Sequence, residues 1–222
     1  MLAARAAGVP VIDGLHDAPD FAIAPAAHLL AALASQYPKK SVVLAVVDPG
    51  VGGRRDAIVA RIDGRGYVAP DNGLLSVLWQ RARRRECWRV TWRPARLSAS
   101  FHGRDLFAPV AAALARNRVP RSWLAKKEGP GVLLDPRELA EVIYIDHYGN
   151  AVTGLRAARL STEAKFLVGK RVLSHARTFE DASGPFWYEN SMGLVEIACP
   201  RGSAARRLGV AVGSRISVKK AR

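Results

Sequence analysis

The stretch Val42–Arg55, VVLAVVDPGVGGRR, constrains the fold more than any other part of the chain. An unbroken run of strand formers stops abruptly at Asp48-Pro49-Gly50, and Gly52, Gly53 and two arginines follow. A short apolar run bounded by turn residues reads as a buried strand. In open α/β sheets, ligands bind beyond the carboxyl ends of the strands. Glycine lets the backbone approach such a ligand closely. A strand that delivers a carboxylate into a glycine-rich turn is therefore a candidate active site.

The surrounding pattern predicts an α/β domain. Val9–Ile12 reads as a short strand. Asp13, His16 and Asp17 after it read as a loop with local hydrogen bonds. Residues 24–36 carry apolar side chains at helical spacing, with Pro25 in the first turn. With the strand Val42–Val47 this makes a β-α-β unit, which favours a mostly parallel central sheet. Ala57–Ile62 and Gly66–Val68 read as strands around the turn Asp63-Gly64-Arg65-Gly66, Leu74–Arg84 as a helix, Cys87–Thr91 as a strand and Leu106–Ala115 as a helix. Residues 117–137 hold three prolines in mixed composition and read as a linker. Beyond Leu139 short strands alternate with glycine turns, which predicts a small β-rich, barrel-like domain. The expected boundaries are 1–128 and 129–222.

Charge raises one competing function. The chain has 34 basic and 19 acidic residues, a net +15, and a basic chain can bind nucleic acid. Its arginines are spread along the sequence, however. The dense cluster RARRR (Arg81–Arg85) falls at an expected helix C-terminus, where cations are favoured. Cys87 and Cys199 lack metal spacing, and the N-terminal residues lack a signal-peptide pattern. With no long apolar run to suggest a membrane span, the expectation is a cytoplasmic protein without a metal.

Five stretches, in order, resemble the S-adenosyl-L-methionine (SAM) hydroxide adenosyltransferases, relatives of the SAM-dependent fluorinase and chlorinase. They are Val47–Gly52 (VDPGVG) with Arg55, Ala69–Leu75 (APDNGLL), Phe101–Ala108 (FHGRDLFA), Ile145–Thr153 (IDHYGNAVT) and Asn190–Ala198 (NSMGLVEIA). The resemblance implies an N-terminal α/β domain joined to a β-barrel-like C-terminal domain, in homotrimers with substrate sites at subunit interfaces. It implies attack of water on C5′ of SAM, giving adenosine and L-methionine, with SAM as substrate and no cofactor.

The resemblance also assigns residues. Asp48, Arg55 and His102 match the family's water-handling triad, and Gly103 stands where the halogenases carry a serine. Asn150 matches an adenine contact and Tyr148 an aromatic packed on the base. Asp146 matches the partner of the methionine ammonium and Ser191 that of its carboxylate. Phe101 and Asn72 are expected to shape the ribose pocket. The chemistry suits these residue types. A sulfonium leaves without protonation, so the enzyme must place a weak nucleophile in line with the C5′–S bond and take up a proton. Arg55 can orient Asp48 but has no acceptor. His102 and Asp48 both remain candidates for the base.

This chain departs from the family at Met192, where the halogenases have an arginine, and at Gly154, where Asn is common. The family's opening strand and its T-D-F-G stretch, whose aspartate holds the ribose, have no counterpart, and Met1–Arg5 reads as the inside of the first helix. Either the start is placed too late or the strand is lost; if it is lost, weak substrate binding or poor stability is expected. The alternatives are a catalytically impaired SAM or adenosine binder and a basic nucleic-acid-binding protein.

Overall fold

The computed structural model describes residues 2–219. The chain divides into two compact units, one of Met1–Leu30 and Tyr37–Pro136, the other of Ala31–Gln36 and Arg137–Arg222.

The first unit is built on a five-stranded sheet. Its strands are β1 (Val42–Leu44), β2 (Ala57–Ile62), β3 (Arg65–Pro70), β4 (Arg85–Val90) and β5 (Leu124–Lys127), in the order β1-β3-β2-β4-β5. The expected mostly parallel sheet is corrected: only β1 and β3 run parallel, and the other three neighbours are antiparallel. The cause is local. Asp63 and Gly64 both adopt positive φ, 45° and 84°, and join β2 to β3 as a two-residue hairpin turn of the type that matches strand twist. Such a short connection can only make an antiparallel pair.

Helices α1 (Leu2–Arg5), α3 (Ser76–Arg81) and α4 (Ala108–Ala115) belong to this unit, and α2 (Ile23–Leu33) begins in it and ends in residues of the second. Leu106, Phe107, Val110 and Ala111, on and just before α4, pack against Ala57, Val59, Val68 and Val90 of the sheet. Strand β2 is buried at every position but Arg61, as expected where both sheet faces are covered.

Several local expectations change. Val9–Ile12 is not a strand. The β1 ladder stops at Leu44, and Val46 is 43% exposed. The expected linker contains a 3-10 turn, Arg121–Trp123, and then β5, which closes the edge of the sheet. Within the basic cluster, Arg81 donates to the Pro136 carbonyl, and Arg85 donates to the Trp79 carbonyl and lies over its indole. These two cations are engaged in local packing.

The second unit holds β6 (Leu139–Ile145), β7 (Ala151–Arg156), β8 (Lys165–Val168), β9 (Arg171–Leu173), β10 (Phe186–Glu189), β11 (Leu194–Ala198), α5 (Ala204–Leu208) and β12 (Ser217–Lys219). The barrel expectation is also corrected. Among the described residues there is no closed barrel but two antiparallel sheets, β10-β11-β7-β6 and β12-β8-β9. Isolated bridges, Glu141 with Arg215 and His175 with Trp187, and a bond from the Trp187 indole N–H to the Ala164 carbonyl relate them. One core of Val142, Phe166, Leu173, Trp187, Val195 and Ile197 lies between them. No helix among the described residues is long and apolar enough to cross a membrane.

Candidate active site

Asp48, Arg55 and His102 meet in the first unit. Arg55 Nε lies 3.1 and 3.0 Å from the two Asp48 carboxylate oxygens, and Arg55 Nη2 donates to Oδ2 as well. The same Nη2 stands 2.9 Å from Nδ1 of His102. Side-chain exposure is 4% for Asp48 and 11% for Arg55, and His102 is buried. A buried carboxylate of this kind is held charged only by a partner. Arg55 supplies one and reaches the imidazole through the same Nη2.

The polypeptide builds this arrangement from three turns. Strand β1 ends and the chain leaves the sheet, but Asn72 Nδ2 donates to the Val47 carbonyl at 2.8 Å while Asn72 Oδ1 accepts from the Leu74 amide. The PDNG turn thus fixes the residue immediately before Asp48. Gly52 follows with φ of 81°, and a Cβ there would stand 2.5 Å from the Ala99 carbonyl oxygen. That contact lets the 48–55 turn lie against the loop leading to His102. A π-helical turn, Gly103–Phe107, then runs into α4, and such turns often mark functional sites. Asp105 caps the loop by accepting from the Ser98 amide and from Arg104. The Arg104 bond holds its carboxyl well below the usual carboxylate range.

The sequence reading missed Phe107. Its ring is fully buried, and the Arg55 guanidinium lies 5.1 Å from its centroid. Arg55 is therefore held by a carboxylate, an imidazole and an aromatic face. Phe107 lies within the matched stretch Phe101–Ala108, but a phenylalanine entering an apolar helix reads as plain core.

Guanidinium only donates hydrogen bonds, so His102 Nδ1 accepts from Arg55. In that state the imidazole is neutral and carries its proton on Nε2. Burial, followed by the Arg55 charge, lowers its pKa, while Asp48 opposes the shift. The site thus combines an ionised carboxylate, a fixed cation and a neutral imidazole N–H, which can grip a water molecule through both its hydrogens and its lone pairs.

Of the other expected residues, Phe101 is 56% exposed, with Arg104 over its ring. Asn72 serves the Val47 carbonyl as described. The others lie in the second unit, where Asp146 and Asn150 are bonded to each other. Asp146 accepts from the Asn150 amide N–H at 2.8 Å and from its side-chain Nδ2 at 3.0 Å. This leaves the Asn150 side-chain oxygen as the acceptor that its turn can present. Tyr148 is 70% exposed, and its ring lies tilted against that of His147. Ser191 is exposed, and its carbonyl accepts from Gln36 Nε2.

Comparison with known proteins finds two family models. Residues 1–123 match the SAM hydroxide adenosyltransferase N-terminal domain, and residues 140–217 match the C-terminal domain. A curated (R)-S-adenosyl-L-methionine hydrolase of Thermus thermophilus is 37% identical over 96% of this chain and 89% of that protein. One of the same name from Salinispora arenicola is 38% identical over 98% and 89%. Among solved structures, an uncharacterized conserved protein from Thermotoga maritima superposes with a TM-score of 0.86 at 28% identity, covering 98% of this chain and 92% of that one.

Proposed function

Because the chain belongs to the SAM hydroxide adenosyltransferase family, we propose that it is an enzyme hydrolysing SAM to adenosine and L-methionine. The observation that carries this reading is Arg55 locked between Asp48 and His102 in a chain matched by both family domains. The relatives' name specifies the R configuration at sulfur, and the proposal extends that preference to this chain.

Water attacks C5′ from the side opposite sulfur. The C5′–O bond forms as the C5′–S bond breaks, and its electron pair neutralises the sulfonium, so methionine leaves as a thioether. One proton of the attacking water must be released. His102 Nδ1 already accepts from Arg55, so it is not free to take that proton. His102 instead offers its Nε2–H to the water oxygen and fixes one direction of the nucleophile. Asp48 accepts the proton. A strong base is not required, because an alkylated water is a strong acid and sheds its proton once the C–O bond has formed. Arg55 fixes both partners and offsets the Asp48 charge. The rate gain is mainly positioning of a weak nucleophile against a reactive electrophile.

Asp146, Tyr148, Asn150 and Ser191 bind the substrate in this reading, the first and last at the methionine end. Phe101 lines the ribose side. The working form is a homotrimer with sites at subunit interfaces, to be measured by light scattering.

The test is incubation with each sulfonium epimer of SAM in ¹⁸O-labelled water. Adenosine carrying the label on its 5′-oxygen, with equimolar methionine, is the expected result. No adenosine from either epimer, or adenosine without label, overturns the proposal.

A further inference from the structure

Glu196 is a buried carboxylate that the mechanism above does not use. It lies in the middle of β11, 6% exposed, where a charged group costs free energy unless it is fully bonded. Both its oxygens are engaged. Tyr188, directly across the ladder on β10, donates its hydroxyl to Oε1 at 2.6 Å, and Asn190 donates Nδ2 to Oε2 at 3.0 Å.

The second bond sets the direction of the Asn190 amide. With Nδ2 committed to Glu196, Asn190 Oδ1 must face the turn, where it accepts from the Met192 and Leu194 amides at 3.0 and 3.1 Å. Asn190 also closes the turn through its own backbone, donating to the Leu194 carbonyl and accepting from Gly193. Ser191 is carried on this turn. Tyr188 is held protonated by burial, by its bond to Glu196 and by the charges of Glu196 and Asp146, so its hydroxyl remains a donor to the carboxylate.

We propose that Glu196 is a positioning residue for the methionine end of the substrate, acting through Asn190 to fix the turn that presents Ser191. This rests on the SAM hydrolase reading and on Ser191 as a methionine contact. A buried carboxylate here has a specific use. An apolar side chain would fill β11 equally well but would leave the Asn190 amide free to turn over, placing an N–H against the Met192 and Leu194 amides.

The test compares Glu196→Leu with Glu196→Gln in SAM hydrolysis. Glu196→Leu removes both acceptors, and the expected result is a KM raised about tenfold with kcat within about threefold of wild type. Glu196→Gln keeps an acceptor for Asn190, while the Tyr188 hydroxyl can turn to accept from the new amide, so its KM stays within about threefold of wild type. In a Ser191→Ala background the Glu196→Leu effect on KM shrinks, because the two act on one contact. Should Glu196→Leu fail to fold, Asn190→Ala serves in its place and raises KM in the same way. A wild-type KM in Glu196→Leu or Asn190→Ala overturns the proposal, as does an undiminished effect when Ser191 is absent. Wild-type protein inactive on both epimers overturns instead the function on which it rests.

Discussion

The Arg55 guanidinium meets Nδ1 of His102 at 2.9 Å, so the imidazole faces a permanent donor and must accept. Protonating His102 would place an N–H against an N–H. Burial and the Arg55 charge accordingly lower its pKa from the ordinary 6.5. The folded state therefore binds this proton less readily than the unfolded chain does. The contribution to stability is fully present above pH 6.5 and is lost as pH falls through the folded pKa. The neutral form is also the working form. We predict an acid limb in kcat/KM with its midpoint below 6.5, read from a pH–rate profile. A midpoint above 6.5 would sink the tautomer assignment.

Replacing members of the triad separates catalysis from folding. Asp48→Asn keeps an acceptor for Arg55 but cannot take up the proton, and Arg55→Lys cannot bridge two partners with one planar fork. Each is expected to lower kcat by about a hundredfold or more while circular dichroism stays that of wild type. Arg55→Ala differs, because it leaves the Asp48 carboxylate buried and unpaired. That typically costs about 3–5 kcal/mol, so this variant should also show a clear loss in urea stability.

Gly52 joins the carboxylate turn to the histidine loop by the absence of a side chain. With φ of 81° and the Ala99 oxygen 2.5 Å from any Cβ, Gly52→Ala must either strain the turn or push the loop away. The expected cost is about 1–3 kcal/mol together with a fall in kcat, as His102 moves off Arg55. Gly50→Ala is the matched control, since nothing lies within 4 Å of its Cβ. Equal activity in the two variants would refute the role given to this contact.

What was legible in the sequence followed the range over which each signal acts. Asp48, Arg55 and His102 could be named because titratable groups stood in glycine-bearing turns and matched an ordered set of motifs. The strand segments β2 and β3 could be seen because apolar runs and an Asp-Gly turn are local features. Strand direction could not, since residues 24–36 followed by a strand resemble a parallel crossover whatever pairs next in the sheet. Phe107 gave no separate signal because a ring under a guanidinium and a ring in a core have the same sequence context. The pairing of Tyr188 with Glu196 depends on the β10–β11 register, which a pattern of short strands does not fix.

Asn72 shows the same limit and yields the last prediction. The sequence puts it at the ribose pocket, and in the fold its amide nitrogen donates to the Val47 carbonyl 25 residues back, next to the catalytic carboxylate. Every main-chain carbonyl is an equivalent acceptor in sequence, so only the fold identifies which one it meets. Asn72→Asp isolates this bond. The new carboxylate still accepts from the Leu74 amide but turns an oxygen toward the Val47 oxygen, so an attraction becomes a repulsion at the point where β1 hands over to Asp48. We expect kcat to fall about tenfold, in line with one misplaced catalytic group, with KM for SAM nearly unchanged because the substrate-binding residues of the second unit are untouched. Steady-state kinetics decide the matter. A raised KM at unchanged kcat would instead make Asn72 a substrate contact, as its motif first suggested.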